Sequence, residues 1–194
     1  MILRPLVLGA ALAAAGCLSC PPSSPERPTD AAANHDIFQF RQGIPLDGWE
    51  VEDDNVMGGL SRGRLVVNEA GNALFTGDIS LDNNGGFSSI QYDFASLDVS
   101  GYQALCLGLR GDGKRYQVRV ESAPRARHAY AFDFQTDGNW QVIEIPFRQM
   151  EAIRHGDRLD LPNYPGETMT RIQILAGEGR AESFQLEIDR IWLK

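Results

Sequence analysis

The chain has 194 residues, a formal net charge of −8, 43% hydrophobic residues and 23% charged residues. That mixture is too apolar for a wholly disordered chain, and the length suits one domain, or one domain plus a tail. The acidic balance argues against a nucleic-acid partner and against docking on an anionic membrane through a basic patch, because both need a Lys/Arg excess.

Residues 1–16 place Arg4 before a short run of small apolar residues. The run is shorter than the ~20 residues of a transmembrane helix and fits the apolar region of a signal peptide. It ends Ala14-Ala15-Gly16-Cys17, which resembles a bacterial lipobox and predicts acylation of Cys17. Ordinary signal cleavage nearby is the alternative. Residues 17–35 hold four of the ten prolines and show no apolar periodicity, the composition of a semi-extended tether. The expected location is therefore a bacterial cell envelope, lipid-anchored, at the outer membrane facing the periplasm.

From residue 36 to 194 short strand-like runs alternate with Gly/Asn/Asp/Pro punctuation. The predicted strands are 37–40, 64–67, 73–79, 87–94, 104–110, 115–121, 129–135, 141–145, 170–176 and 183–193. Tyr116, Val118 and Val120 share one face, as do Tyr130, Phe132 and Phe134, and Phe184, Leu186 and Ile188. About ten short strands without long helical patterns predict an all-β antiparallel sandwich or jelly roll. One short helix is expected near 146–153, where Pro146 opens a pattern with Phe147, Met150 and Ile153 three apart. Cys106, between Leu105 and Leu107, reads as a buried small hydrophobe in a central strand. No disulfide and no cysteine metal site is expected in the domain.

Several catalytic signatures fail. Residues 108–114 have P-loop spacing, but Arg115 stands where a Ser/Thr should bind magnesium, and a strand follows. Asp53, Asn55 and Gly58 sit at EF-hand positions, but Met57 and Arg64 occupy two ligand positions; an isolated calcium site stays open. His35 falls in the tether, and His128 and His155 read as exposed loop residues with no zinc spacing. No cofactor and no metal is expected.

Three polar, glycine-rich loops stand out: 53–61, 82–89 and 110–116. Their candidate ligand- or partner-binding residues are Asp53, Asp54, Asn55, Met57, Ser61, Asn84, Phe87, Ser89, Arg110 and Asp112. Carboxylates, amides and an arginine can hydrogen-bond a polar ligand. The same compositions also make tight turns. Arg110 is expected to organise the cluster by pairing with Asp53, Asp54, Asp112 or Asp189.

Trp49, Asp53-Asp54-Asn55-Val56-Met57-Gly58-Gly59-Leu60-Ser61, Phe75-Thr76-Gly77, Asn84-Gly85-Gly86-Phe87-Ser88-Ser89, the 110–116 loop, Phe134-Gln135-Thr136, 140–147 and 186–191 together resemble the complex I intermediate-associated protein family, the thirty-kilodalton assembly-factor domain. The resemblance spans about residues 37–194. It implies a galactose-binding-like jelly roll related to carbohydrate-binding modules and, from the mitochondrial members, a role in assembling respiratory complex I. The chain departs from that pattern at its N-terminus, where an export signal replaces a matrix-targeting segment. The expected function is a non-enzymatic envelope lipoprotein binding a protein partner or glycan. An assembly or maturation factor for a membrane complex is the alternative, and a hydrolase using paired carboxylates comes third.

Overall fold

The computed structural model describes residues 34–194. The expected signal peptide, Cys17 and the expected tether as far as residue 33 lie outside the described residues. The fold is all-β. The strands are β1 (His35–Gln39), β2 (Trp49–Asp53), β3 (Arg62–Val67), β4 (Ala73–Ile79), β5 (Ser88–Asp98), β6 (Ala104–Arg110) and β7 (Arg115–Glu121). They continue with β8 (Ala129–Gln135), β9 (Trp140–Pro146), β10 (Glu151–Arg154), β11 (Asp157–Arg158), β12 (Thr168–Ala176) and β13 (Glu182–Leu193).

One sheet runs β3-β4-β13-β6-β9, with β1 added to β13. The other runs β11-β10-β8-β7-β12-β5-β2. Period-two alternation drives this arrangement, because each strand turns one side-chain set inward and the other outward. Phe75, Leu105, Leu107, Leu109, Leu186 and Ile188 enter the core from the first sheet, and Ile90, Val118, Ile172 and Ile174 from the second. All ten are 0% exposed. Cys106 is buried, in register with Trp192 of β13 and Glu144 of β9, so its strand is central as expected.

Three differences from the sequence reading have physical causes. The expected helix at 146–153 is a single 3-10 turn, Phe147–Gln149, followed by β10. Spacing of three suits that turn as well as a helix. The extended form of Glu151–Ile153 pairs with Ala131, Tyr130 and Ala129 of β8, whose edge a helix would leave unpaired. Second, thirteen strands replace about ten among the described residues. The unpredicted ones are β2, β10 and β11; β10 and β11 are joined through His155 and Gly156, both at positive φ (52° and 91°), the geometry of a two-residue hairpin turn. Third, His35 lies in β1, opposite Leu193, and not in the tether.

Candidate functional site

Asp54 is the hub of the first two polar loops. Its side chain is 0% exposed. Oδ1 accepts the Ser61 backbone N–H at 3.0 Å. Oδ2 accepts the Ser61 hydroxyl at 2.5 Å and the backbone N–H groups of Gly86 at 2.6 Å and Phe87 at 3.3 Å. Burial alone would raise this carboxyl's pKa, but those four hydrogen bonds outweigh it and hold the group below its ordinary value.

The paired glycines follow from that carboxylate. Gly58 adopts φ 89° to end the short 3-10 turn. Gly59 has no such need; a Cβ there would come within 2.2 Å of Asp54 Oδ1. A Cβ at Gly85 would come within 2.6 Å of Oδ2. Met-Gly-Gly-x-Ser and Gly-Gly-Phe are thus two halves of one cradle for a buried carboxylate. Asp53 Oδ1 accepts the Gly63 N–H at 2.9 Å, Asn83 Nδ2 donates to the Gly58 carbonyl at 3.0 Å, and the Ser89 hydroxyl donates to the Glu52 carbonyl at 3.1 Å. Asn55 and Asn84 are exposed, the latter at φ 61°.

The structure therefore gathers Asp53, Asp54, Asn55, Met57, Ser61, Asn84, Phe87 and Ser89 at one end of the sandwich. It does not join Arg110 and Asp112 to them. Arg110 Nη2 pairs with Glu187 Oε1 at 2.5 Å on the six-stranded sheet and lies over the Trp140 ring. Glu187 Oε2 also accepts from Asn68 and Asn72, each at 3.3 Å. The expected organiser of the loops instead serves a carboxylate that the sequence reading left unnamed, which strand register places opposite it across β6 and β13. Asp112 fixes its own turn, taking Lys114 Nζ at 2.7 Å, the Gln185 N–H at 3.0 Å and the Tyr116 hydroxyl at 2.9 Å. Burial alone would raise its pKa, but these partners outweigh it, so the net shift is downward.

A wide concavity lies elsewhere. A cleft of ≈ 620 Å³ crosses the outward face of the seven-stranded sheet. It begins at Met57, Phe87 and Gly177 and ends at Ala126–His128 and the Arg154–Gly156 turn. A second depression of ≈ 370 Å³ shares Ile153 and Gly156 with it and extends toward Gln117, Asp133 and Arg158. Register sets the floor: Glu50, Gln91, Gln173, Arg119, Ala131 and Glu151 stand abreast on six successive strands.

Arg119 is half-buried mid-sheet. Its Nε donates to Gln117 Oε1 at 2.6 Å, and among the described residues it forms no ion pair. Burial pulls its pKa down, opposed by Asp133 and Glu52. Arg171, by contrast, is fully engaged, with Asp93 at 2.5 Å and Glu121 at 3.1 Å. His128 packs edge-on against Tyr130 with a buried Nε2 that has no hydrogen-bond partner, where an exposed loop residue was expected. Sequence alternation marks Arg119, Gln91 and Gln173 as outward-facing; that they form one floor depends on the order of the strands.

Asp53, Asp54 and Asp112 hold backbone N–H groups and do not line the cleft. No group of three His, Cys, Asp or Glu among the described residues is arranged to hold a metal ion. Among the same residues no helix is long and apolar enough to cross a membrane.

Two antiparallel sheets packed face to face, with a polar cleft across one of them, define the class: an all-β sandwich of jelly-roll type. A family 11 carbohydrate-binding module from Clostridium thermocellum, solved with a β-1,3-1,4-mixed-linked tetrasaccharide, superposes with TM-score 0.58 at 16% identity, covering 84% of this chain and 96% of that one. An agarase matches at TM-score 0.56 and 9% identity, over 83% of this chain and 24% of the enzyme. These likenesses show the fold.

The chain belongs to the complex I intermediate-associated protein 30 family, which matches residues 38–188. The Mus musculus protein "Complex I intermediate-associated protein 30, mitochondrial" is 28% identical over 142 residues, covering 62% of this chain. The match takes in 43% of the mouse protein, less than half its length.

Proposed function

We propose that this domain is a non-enzymatic binding module that takes an extended glycan along the outward face of its seven-stranded sheet, and that Cys17 anchors it by lipid to a cell envelope. The carrying observation is the ≈ 620 Å³ cleft, whose floor offers Gln91, Gln173, Arg119 and Glu52 to a ligand rich in hydroxyls. A glycan both donates and accepts hydrogen bonds, which suits a floor mixing amides, a carboxylate and a guanidinium. The neighbouring depression lengthens the surface for a chain-like ligand. A β-sandwich neighbour solved with a tetrasaccharide supports the reading by analogy of fold. Affinity electrophoresis through a panel of soluble neutral and acidic polysaccharides tests it. Retardation by at least one, with no release of reducing ends, is expected. Passage of the protein unretarded through all of them, or release of reducing ends, contradicts it.

A second reading, an assembly or maturation factor for a membrane complex, is favoured by a different observation. Met57, Leu60 and Leu81 are 62%, 54% and 44% exposed on the first two loops, an apolar tip suited to a protein partner. The mouse relative's name supports it. Leu60→Asp with Leu81→Asp should then abolish co-purification of a membrane-complex intermediate and leave glycan retardation intact.

A further inference from the structure

The cleft is basic on an acidic protein. Four arginines and two glutamates line it, whereas the chain as a whole carries −8. Arg171 consumes Glu121. Among the described residues, Arg119, Arg127 and Arg154 form no ion pair, and the carboxylates that act on Arg119 from a distance are Asp133 beside the cleft and Glu52 within it. Arg119 is half-buried in the floor with its Nε held by Gln117, so its two terminal nitrogens are fixed and unpartnered. A partly desolvated guanidinium held this way is matched by a planar anion such as a carboxylate, bound through two parallel N–H···O bonds. A cleft in which arginines outnumber glutamates attracts such a ligand locally, even where the net charge of the protein repels it.

From this we infer that the cleft selects a carboxylate-bearing, uronate-type oligosaccharide, with Arg119 clamping a carboxylate at the centre and Arg127 and Arg154 attracting the chain at the rim. The inference rests on the reading of the cleft as a glycan site. A neutral glycan would leave three cations unpaired and would need ring-stacking surfaces. Of the cleft's lining, only Phe87, His128 and His155 carry rings, all of them on loops or turns at its ends and none on the floor. An acidic peptide would satisfy the arginines but would give Glu52, Gln91 and Gln173 few hydroxyl donors.

The test is calorimetric titration of the detergent-solubilised full chain with four probes: oligogalacturonate, its methyl ester, a mixed-linked β-glucan oligosaccharide and poly-glutamate. Oligogalacturonate should bind best, and losing the charge to the ester should weaken it by about tenfold or more. Arg119→Gln should cost about tenfold in affinity for oligogalacturonate, with a fall in melting temperature of roughly 2–4 °C at most, because one hydrogen bond to Gln117 but no ion pair is lost. Should Arg119→Gln not fold, the exposed pair Arg127→Gln with Arg154→Gln should weaken binding and flatten its salt dependence. Arg64→Gln, on the other sheet, should change nothing. Equal affinity for the ester, indifference to both sets of arginine changes, or tighter binding of poly-glutamate would overturn the inference. Binding of the β-glucan without oligogalacturonate would also overturn it and leave the glycan reading standing. If no probe binds, both fall.

Discussion

Replacing Asp54 by alanine isolates what the first two loops owe to one carboxylate. The change removes the acceptor for the Ser61, Gly86 and Phe87 N–H groups, all held against a side chain that is 0% exposed. The Ser61 hydroxyl has another acceptor within reach, the Ser80 carbonyl at 3.3 Å, so it is not stranded. A buried donor left unsatisfied costs ~1–3 kcal/mol, and water entering the emptied cradle recovers part, which gives a net loss of about 3 kcal/mol. For a domain of this size that corresponds to a fall of roughly 6–12 °C in Tm. Asp54→Asn keeps the shape but turns an amide against N–H donors, and should lose roughly half as much. Urea and thermal unfolding measure both variants, and calorimetry measures binding per folded molecule, which should be unchanged because Asp54 does not line the cleft. The folded pKa is depressed, so this contribution is present above pH 3.8, the ordinary aspartate value, and is lost as pH falls below it through the folded pKa. Wild-type stability should therefore drop more steeply on acidification than that of Asp54→Asn. A loss under about 0.5 kcal/mol for Asp54→Ala, a surface-like value, would refute this account of the loops.

Gly59→Ala drives a methyl group into the Asp54 carboxylate and should destabilise by about 2 kcal/mol; combined with Asp54→Ala its effect should shrink, which a double-mutant cycle reads out. Cys17→Ser should move the protein from the membrane to the soluble fraction, and mass spectrometry of the wild-type N-terminus should find an acyl group. A wild-type protein that is soluble and unacylated would refute the anchor. Cys106 is 0% exposed and should resist thiol reagents until the domain unfolds, with labelling rates tracking global unfolding.

Strands β4, β6, β7 and β8 fall on their predicted residues because alternation is unbroken there and Gly, Asp or Asn punctuates the ends. Strand β2 alternates too, with Trp49, Val51 and Asp53 against Glu50 and Glu52, but a run of five residues, three of them acidic, beside a polar loop gives a weak local signal. The turn between β10 and β11 rests on His155 in a left-handed conformation, which histidine signals far less strongly than asparagine. The glycine motifs and Asp54 were each legible as candidates, yet the contact by which Asp54 requires the glycines was not. Asp54 meets Gly86 from 32 positions away, and Arg110 meets Glu187 from 77. Such pairings are set by which strands adjoin, and local pattern carries no information on that. The cleft is the same case: its floor collects single outward residues from strands distant in sequence.

The most direct test of the account is a map of the bound ligand by amide chemical-shift changes, titrating the isotope-labelled full chain with oligogalacturonate. The account predicts that the largest changes fall on Gln91, Arg119, His128 and Gln173, on the outward face of the seven-stranded sheet. Changes confined to the 110–116 loop, or to the six-stranded sheet around Glu187, would contradict it.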